Sequence, residues 1–217
     1  MITLSYSTIQ YCLQPENSHN WRNKQMGLQV PDNEYFRNGH RIQQLITDHL
    51  KGVAPRKDLA HLEEKLGKFD LFEEEQKYGD PRVKLQQVFE ILGEQVRVIG
   101  FFDMKDTEKY RSGEIKAYGR MWSVGQFASS YQRKIYGLLD PKFTEGVLIT
   151  ALPNEAEWLS LPPKVYILPY TQKDREDALK WITKAVEVIK KGDFTGGLTD
   201  GKCLNRFCNY GENCSFK

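Results

Sequence analysis

The most informative segment of this sequence is Val98-Ile99-Gly100-Phe101-Phe102-Asp103. It is an apolar run that ends on a carboxylate, as expected of a buried strand that reaches the edge of a sheet. After a polar loop the chain continues with Glu114-Ile115-Lys116. Side chains alternate along a strand, so Glu114 and Lys116 share one face while Ile115 turns into the core. If the two segments pair as neighbouring strands, two carboxylates and one ammonium meet at one sheet edge.

Three charged side chains in this arrangement suit a divalent cation. Two close carboxylates repel each other unless a cation lies between them, and hard oxygen ligands favour Mg²⁺ or Mn²⁺. The lysine can then orient or deprotonate a water molecule while the metal polarises a phosphoryl oxygen. Asp103, Glu114 and Lys116 are therefore candidates for the centre of a metal-dependent phosphodiesterase. The alternative is a solvated hairpin with an ordinary Glu–Lys pair.

The same residues resemble a known family. Gly100-Phe101-Phe102-Asp103 followed by Glu114-Ile115-Lys116 is similar to the core motif of the PD-(D/E)XK nucleases, in their RecB-like branch. Residues 130–136, Ser-Tyr-Gln-Arg-Lys-Ile-Tyr, resemble the Q-x-x-x-Y helix that follows this motif in that branch. Gln132 and Tyr136 are four residues apart, so they share a helix face.

The resemblance implies a fold and an organisation of the chain. It implies one nuclease domain with a mixed central sheet flanked by helices, and a cysteine-rich tail tied to the first helix. The expected parts are a helical region over 1–80, a nuclease core over 83–191 and the tail over 192–217. The segment from Leu4 to Trp21 is similar to the opening helix of that branch.

The resemblance also implies roles for the site residues. Asp103, Glu114 and the backbone carbonyl of Ile115 would hold Mg²⁺ or Mn²⁺, and Lys116 would position the attacking water. Gln132 and Tyr136 would hold the DNA end or the lysine. These six positions are the ones that the motifs match residue by residue.

One position departs from the family pattern. RecB-like nucleases commonly carry G-x-x-x-H in the helix that precedes the sheet, and that histidine is a metal ligand. Here Gly39 is present, but Gln43 stands where the histidine is expected. Either Gln43 is a neutral oxygen ligand, or His40 takes the role, or the site lacks this ligand.

The four cysteines form a second pattern. Cys12 lies near the start, and Cys203, Cys208 and Cys214 crowd the last fifteen residues. This is similar to the iron–sulfur RecB-like nucleases, such as the AddB nuclease domain and the CRISPR-adaptation exonucleases, and implies a [4Fe–4S] cluster on four thiolates. The spacing of the first two late cysteines is longer than is usual there. Residues 208–217 are also similar to a three-cysteine, one-histidine zinc finger, whose Zn²⁺ would need Cys12 as its fourth ligand. Disulfides or free thiols are the remaining alternative.

Composition agrees with an ordinary one-domain protein: 217 residues, 40% hydrophobic, with a formal net charge of +2. DNA binding needs only a local basic stripe, and the candidates around the proposed site are Arg111, Arg120, Arg133 and Lys134. The alternative is a solvated surface of mixed charge. No signal peptide and no apolar run long enough to span a bilayer is found, so we expect a cytoplasmic protein without a membrane partner.

Periodicity predicts an α/β protein, with helices over 5–15, 34–51, 123–138 and 172–191, a tight hairpin joining 88–92 to 95–99, and strands over 114–118, 146–152 and 164–169. Residues 56–79 are charged, with leucines at helical spacing.

The predicted function is that of a metal-dependent DNA exonuclease on single-stranded ends, in recombination, repair or CRISPR adaptation. The alternatives are a non-cleaving nucleic-acid-binding protein with a zinc-finger-like module, and a sequence-specific restriction endonuclease. No P-loop is present in the sequence, so any translocation along DNA would need a helicase or another partner.

Overall fold

The structure is a computed structural model that describes residues 1–14, 19–28, 34–67, 83–106, 108–117, 119–192, 194, 198–199 and 202–203. Its helices are α1 (Tyr6–Leu13), α2 (His19–Gln25), α3 (Glu34–Leu50), α4 (Ala60–Leu66), α5 (Val124–Ser129), α6 (Tyr131–Leu139) and α7 (Gln172–Lys191), with short 3-10 turns at Lys57–Leu59 and Glu155–Leu159. Its strands are β1 (Ile2–Ser5), β2 (Val83–Ile91), β3 (Glu94–Phe102), β4 (Met104–Asp106), β5 (Arg111–Ala117), β6 (Glu145–Ala151), β7 (Lys164–Pro169), β8 (Leu198–Thr199) and β9 (Lys202–Cys203).

The chain divides into two compact units, one of residues 1–32, 86–99 and 176–217 and the other of residues 33–85 and 100–175. In the first unit β1 runs parallel to β3, with Ile2 opposite Val96. The turn between β2 and β3 consists of Leu92 and Gly93, which have φ angles of 54° and 77°. Positive φ at both central residues defines the tight hairpin turn that matches strand twist. The predicted hairpin is confirmed, with its turn one residue earlier than expected.

The second unit contains a mixed sheet in the order β4-β5-β6-β7. β5 runs parallel to β6, and both outer pairs are antiparallel. A parallel strand is usually buried on both faces, and β5 is buried along nearly its whole length. Helices α3 and α4 cover the sheet through a cluster of fully or almost fully buried side chains: Ile42, Ile46, Leu62, Leu66, Ile115, Val147 and Ile149. This mixed sheet with helices confirms the α/β class.

One predicted helix is two helices. The expected helix over 123–138 is interrupted at Ser130, whose φ of −64° and ψ of 120° are extended rather than helical. Ser123 begins α5 with a capping box in which Gln126 bonds back to it, and Ser130 begins α6 by accepting a bond from the Arg133 N–H. Serine at these positions satisfies backbone N–H groups that a helix start leaves without partners.

The predicted helix over 172–191 is confirmed in full by α7. The leucines of the charged segment lie in the first 3-10 turn and in α4, and residues 68–79 lie outside the described residues. Within the described part of the chain, no helix is both long enough and apolar enough to cross a bilayer. The prediction of a single domain stays a prediction.

Candidate active site

Asp103 lies in the second unit, at the bend between β3 and β4. Its backbone N–H donates to the carbonyl of Gly113 at 3.0 Å. The strand that pairs with β5 is β4, directly after Asp103, and not the apolar run of β3 that the sequence suggested as its neighbour. Its carboxylate Oδ2 accepts a hydrogen bond from the backbone N–H of Ile115 at 2.7 Å. Gln43 of α3 donates from Nε2 to the other oxygen, Oδ1, at 2.5 Å. Only 5% of Asp103 is exposed, so the structure holds both of its oxygens in fixed positions.

Glu114 and Lys116 project from one face of β5. The Lys116 Nζ lies 2.8 Å from Glu114 Oε2, and both side chains are largely buried. Ile115 turns the other way and packs among the core side chains of α3 and β6. The alternation predicted from the sequence is therefore observed, and two carboxylates and an ammonium lie at one edge of the sheet.

Gln132 and Tyr136 of α6 complete this network. Lys116 donates from Nζ to Gln132 Oε1 at 2.8 Å, and Gln132 Nε2 donates to the Tyr136 hydroxyl at 2.7 Å. Because an ammonium only donates, the oxygen of the Gln132 amide must face Lys116 and its nitrogen must face Tyr136. The Tyr136 hydroxyl in turn donates to Glu114 Oε1 and lies 2.7 Å from the carbonyl oxygen of Phe101.

The hydroxyl of Tyr136 stays protonated in this setting. Burial raises its pKa well above the ordinary value, and the charge and hydrogen bond of Glu114 raise it further. A neutral phenol can donate to a carboxylate, so Tyr136 orients Glu114. Its ring packs edge-on against Phe102 with centroids 4.3 Å apart, which fixes where the hydroxyl points.

Two glycines bring the helices close enough for these contacts. A Cβ atom added to Gly100 would lie 2.6 Å from Leu139 Cδ1 and 3.1 Å from the ring of Tyr136, so α6 packs directly on the backbone of β3. A Cβ atom on Gly39 would lie 3.2 Å from the carbonyl oxygen of Ala117, at the end of β5. Both glycines belong to the motifs quoted above, but the sequence alone did not indicate that they set the spacing.

The four predicted DNA-binding residues fall into two groups. Arg111 and Arg133 are 3% and 5% exposed. Arg111 pairs with Asp106 at 2.5 Å, and Arg133 pairs with Asp174 at 3.1 Å. Their guanidinium groups stabilise the fold in this structure and do not face outward to a DNA backbone, which corrects that part of the expectation.

The other two basic residues lie nearer to solvent. Arg120 is exposed in the loop after β5, and Lys134 is half-buried on α6. The Lys134 ammonium lies 5.2 Å from the centre of the Tyr131 ring, a cation–π contact. Both side chains stay candidates for phosphate contacts.

The metal ligands expected from the resemblance are only partly assembled. His40 lies on the exposed face of α3, whereas Gln43 contacts Asp103. Among the described residues there is no group of three or more His, Cys, Asp or Glu side chains that could hold a metal ion. The oxygens that do lie at this edge come from Asp103, Glu114 and the backbone.

These oxygens nevertheless fit a magnesium ion. Magnesium is commonly held by one or two carboxylates and keeps several of its waters. The N–H and C=O groups of one strand residue point to the same edge, so the carbonyl of Ile115 points to the side from which Asp103 accepts the Ile115 N–H. Asp103, Glu114 and that carbonyl would hold the ion.

Of the four cysteines, the structure describes the side chain of Cys12. Cys12 is buried in α1, and burial raises the pKa of its thiol to about 12. Without a metal such a thiol is protonated and unreactive at neutral pH. The side chain of Cys203 and the whole of Cys208 and Cys214 lie outside the described residues.

No protein-family model matches the sequence, and no curated protein matches it. Solved structures do match. An exonuclease candidate from Eubacterium rectale is similar with a TM-score of 0.51 and 11% identity, over 91% of this chain and 86% of that chain. An alkaline exonuclease from Laribacter hongkongensis is similar with a TM-score of 0.47 and 10% identity, over 87% of each chain.

A phage-related exonuclease from Haemophilus somnus is also similar, with a TM-score of 0.38 and 11% identity, over 88% of this chain and 97% of that chain. At these identities a likeness concerns the fold alone. The similarity to the Eubacterium rectale protein therefore shows a shared α/β fold.

Proposed function

We propose that this protein is a metal-dependent deoxyribonuclease, most specifically an exonuclease that hydrolyses single-stranded DNA from a free end. The observation that carries the proposal is the buried network at the edge of β5, where the carboxylates of Asp103 and Glu114 and the ammonium of Lys116 lie together. The fold shared with the Eubacterium rectale exonuclease candidate supports it.

Each residue of the network has a part in the proposed reaction. A bound Mg²⁺ or Mn²⁺ would activate a water molecule and polarise the scissile phosphate. Asp103 and Glu114 would hold the ion, and Lys116 would orient the attacking water. Gln132 accepts a bond from Lys116 and so fixes the direction of its ammonium. Tyr136 keeps Glu114 in place through its hydroxyl.

Recognition of the substrate would depend on the charges that reach solvent. Arg120 and Lys134 are the basic residues of the predicted set with access to a DNA backbone, and such contacts make binding fall with salt. Recombination, repair and CRISPR adaptation all use hydrolysis of DNA ends. A helicase, recombination or adaptation partner would supply any movement along DNA, because the sequence has no P-loop.

The test is a gel assay with end-labelled linear DNA, single-stranded and duplex, and with closed circular DNA. We expect products from linear single strands with Mg²⁺ or Mn²⁺ and none with EDTA. Cleavage of closed circles would favour an endonuclease. Binding that survives EDTA and never leaves shortened products would favour the non-cleaving alternative.

We further propose that Cys12, Cys203, Cys208 and Cys214 bind a [4Fe–4S] cluster, with zinc as the alternative. The burial of Cys12 supports a structural thiol rather than a surface one. Anaerobically purified protein should contain about four irons and four sulfides per chain. About one zinc without sulfide would favour the finger, and full metal content in Cys12→Ala would remove that thiol from the ligand set.

A further inference from the structure

Gln43 is the side chain through which α3 reaches the candidate site. Its Nε2 lies 2.5 Å from Asp103 Oδ1, while Asp103 Oδ2 is held by the backbone N–H of Ile115. The carboxylate of Asp103 thus has one oxygen fixed by backbone and the other by a replaceable side chain. Gln43 is half-buried and Asp103 is 5% exposed, so little water is present to substitute for this contact.

The orientation of the Gln43 amide leaves oxygen as the only atom type that it can offer to a metal ion. A carboxylate only accepts hydrogen bonds, so the amide of Gln43 presents its NH₂ group to Asp103 and keeps its oxygen as the remaining polar atom. The other groups at this edge, Asp103, Glu114 and the Ile115 carbonyl, also offer oxygen. Oxygen donors suit Mg²⁺ and Ca²⁺, whereas imidazole nitrogen suits Ni²⁺, Cu²⁺ and Zn²⁺.

From this contact we propose that Gln43 determines the metal preference of the site. Its neutral amide orients Asp103 and adds neither a nitrogen ligand nor a further charge to the site. The site therefore binds Mg²⁺ in preference to Ni²⁺, Cu²⁺ and Zn²⁺, whose affinity depends more on imidazole ligands. The inference deepens the proposed nuclease function and rests on it. Gln43 is a positioning and specificity residue here, and the reacting phosphate need not touch it.

The experiment compares Gln43→His with Gln44→His in the full chain. Gln44 is a matched control, because it is the next residue of the same helix and its Nε2 also donates to an aspartate, Asp48, at 2.7 Å, but on the exposed face. Isothermal titration with Mg²⁺ and separately with Ni²⁺ gives the affinity ratio of each protein. Each titration is repeated in Asp103→Asn, which subtracts ions bound elsewhere, including by cysteines.

We expect Gln43→His to raise the Ni²⁺ to Mg²⁺ affinity ratio roughly tenfold to a hundredfold, the range known for changes around metal ligands. Gln44→His should keep the wild-type ratio. A folded Gln43→His protein whose ratio stays within about twofold of wild type would overturn the inference. If that variant does not fold, Gln43→Leu replaces it: unchanged Mg²⁺ affinity overturns the inference, and a clear loss supports it.

The titration also distinguishes a failure of the proposed nuclease function from a failure of the proposed role of Gln43. Wild-type protein that binds no Mg²⁺ in an Asp103-dependent way would overturn the proposed function and this inference with it. Asp103-dependent Mg²⁺ binding with an unaltered ratio in Gln43→His would leave the nuclease proposal standing and overturn only the role of Gln43.

Discussion

The two ends of strand β5 both bury charges, but they balance them differently. At the amino end Arg111 donates from Nη2 to Asp106 Oδ2 at 2.5 Å and to the carbonyl of Leu66 at 2.6 Å, and its pair with Asp106 is 3% exposed on each side. At the carboxyl end the formal charges of Asp103, Glu114 and Lys116 are two negative and one positive.

The difference separates a balanced ion pair from a group with an excess of negative charge, where we propose that a cation binds. Arg111 and Asp106 neutralise each other, and removing either would leave the other buried and uncompensated. At the carboxyl end two carboxylates and one ammonium leave a formal charge of −1. Neutral donors such as the Ile115 N–H orient the carboxylate of Asp103 but do not change this charge. A divalent ion would change this formal charge from −1 to +1, and removing one carboxylate would bring it to zero.

The largest expected effect is on cleavage. Asp103→Asn and Glu114→Gln should each lower the rate of DNA hydrolysis by at least about a thousandfold, since several kcal/mol of transition-state stabilisation depend on the metal. Single-turnover rates with labelled DNA measure this, and gel shifts in EDTA should show DNA binding largely kept. A rate within a few-fold of wild type in Asp103→Asn would remove the catalytic assignment of this end of β5.

The next prediction contrasts the stability of the two ends. Asp106→Ala should lower the free energy of unfolding by about 3–5 kcal/mol, because Arg111 then stays buried without its carboxylate. Asp103→Asn should change it by no more than about 1 kcal/mol, since losing a hydrogen bond is offset by weaker repulsion from Glu114. Urea denaturation without metal measures both. Equal losses of unfolding free energy in the two variants would contradict the difference in charge balance between the two ends of β5.

A smaller effect is expected from removing one hydroxyl. Tyr136→Phe keeps the ring on Phe102 but loses the bonds to Gln132 and Glu114, so we expect a loss of cleavage of roughly tenfold to a hundredfold. Tyr170→Phe is the matched control, because that buried hydroxyl bonds Ser112 at 2.6 Å outside the network. It should lose only stability, about 1 kcal/mol.

The two tyrosine variants also distinguish packing from positioning. If Tyr136→Phe and Tyr170→Phe lose similar stability and neither loses rate, Tyr136 contributes to packing alone. The unfolding curve and the single-turnover rate of each variant decide this.

The smallest expected effect is on the pH dependence of stability. Burial alone would raise the pKa of Asp174, but hydrogen bonds from Arg133 and from Thr171 outweigh it and hold that pKa below its ordinary value. A carboxyl with a lowered pKa stabilises the fold at neutral pH and loses that contribution as pH falls below about 4. Asp174→Asn should therefore be less stable than wild type at pH 7, and the difference should shrink in acid. Thermal unfolding across this range checks it, and a constant difference would contradict it.

Much of the arrangement at the carboxyl end of β5 was predictable, because it depends on residues that are close together in the sequence. Alternation places Glu114 and Lys116 together, and an apolar run that ends at Asp103 predicts a strand that stops there. Likewise the period of 172–191 predicted α7 to the residue. Such inferences need only neighbours along the chain.

The remaining features depend on partners distant in sequence. Arg133 is buried because it pairs with Asp174, and Gln43 reaches Asp103 across 60 positions. The sequence alone does not show which partner a charged or amide side chain will find, so Arg133 was predicted to contact DNA. The break at Ser130 was not predicted, because a serine within a helical pattern can lie either in the interior of one helix or at the N-cap of the next.

Gly100 has a consequence for altering this protein by design. The close packing of α6 on β3 depends there on the absence of a single methyl group, since an added Cβ would lie 2.6 Å from Leu139 Cδ1. An alanine there would press on the side chains of Leu139 and Tyr136, both on α6, without changing any polar group of the network. A substitution at this position would therefore test how the proposed activity depends on side-chain volume, separately from charge.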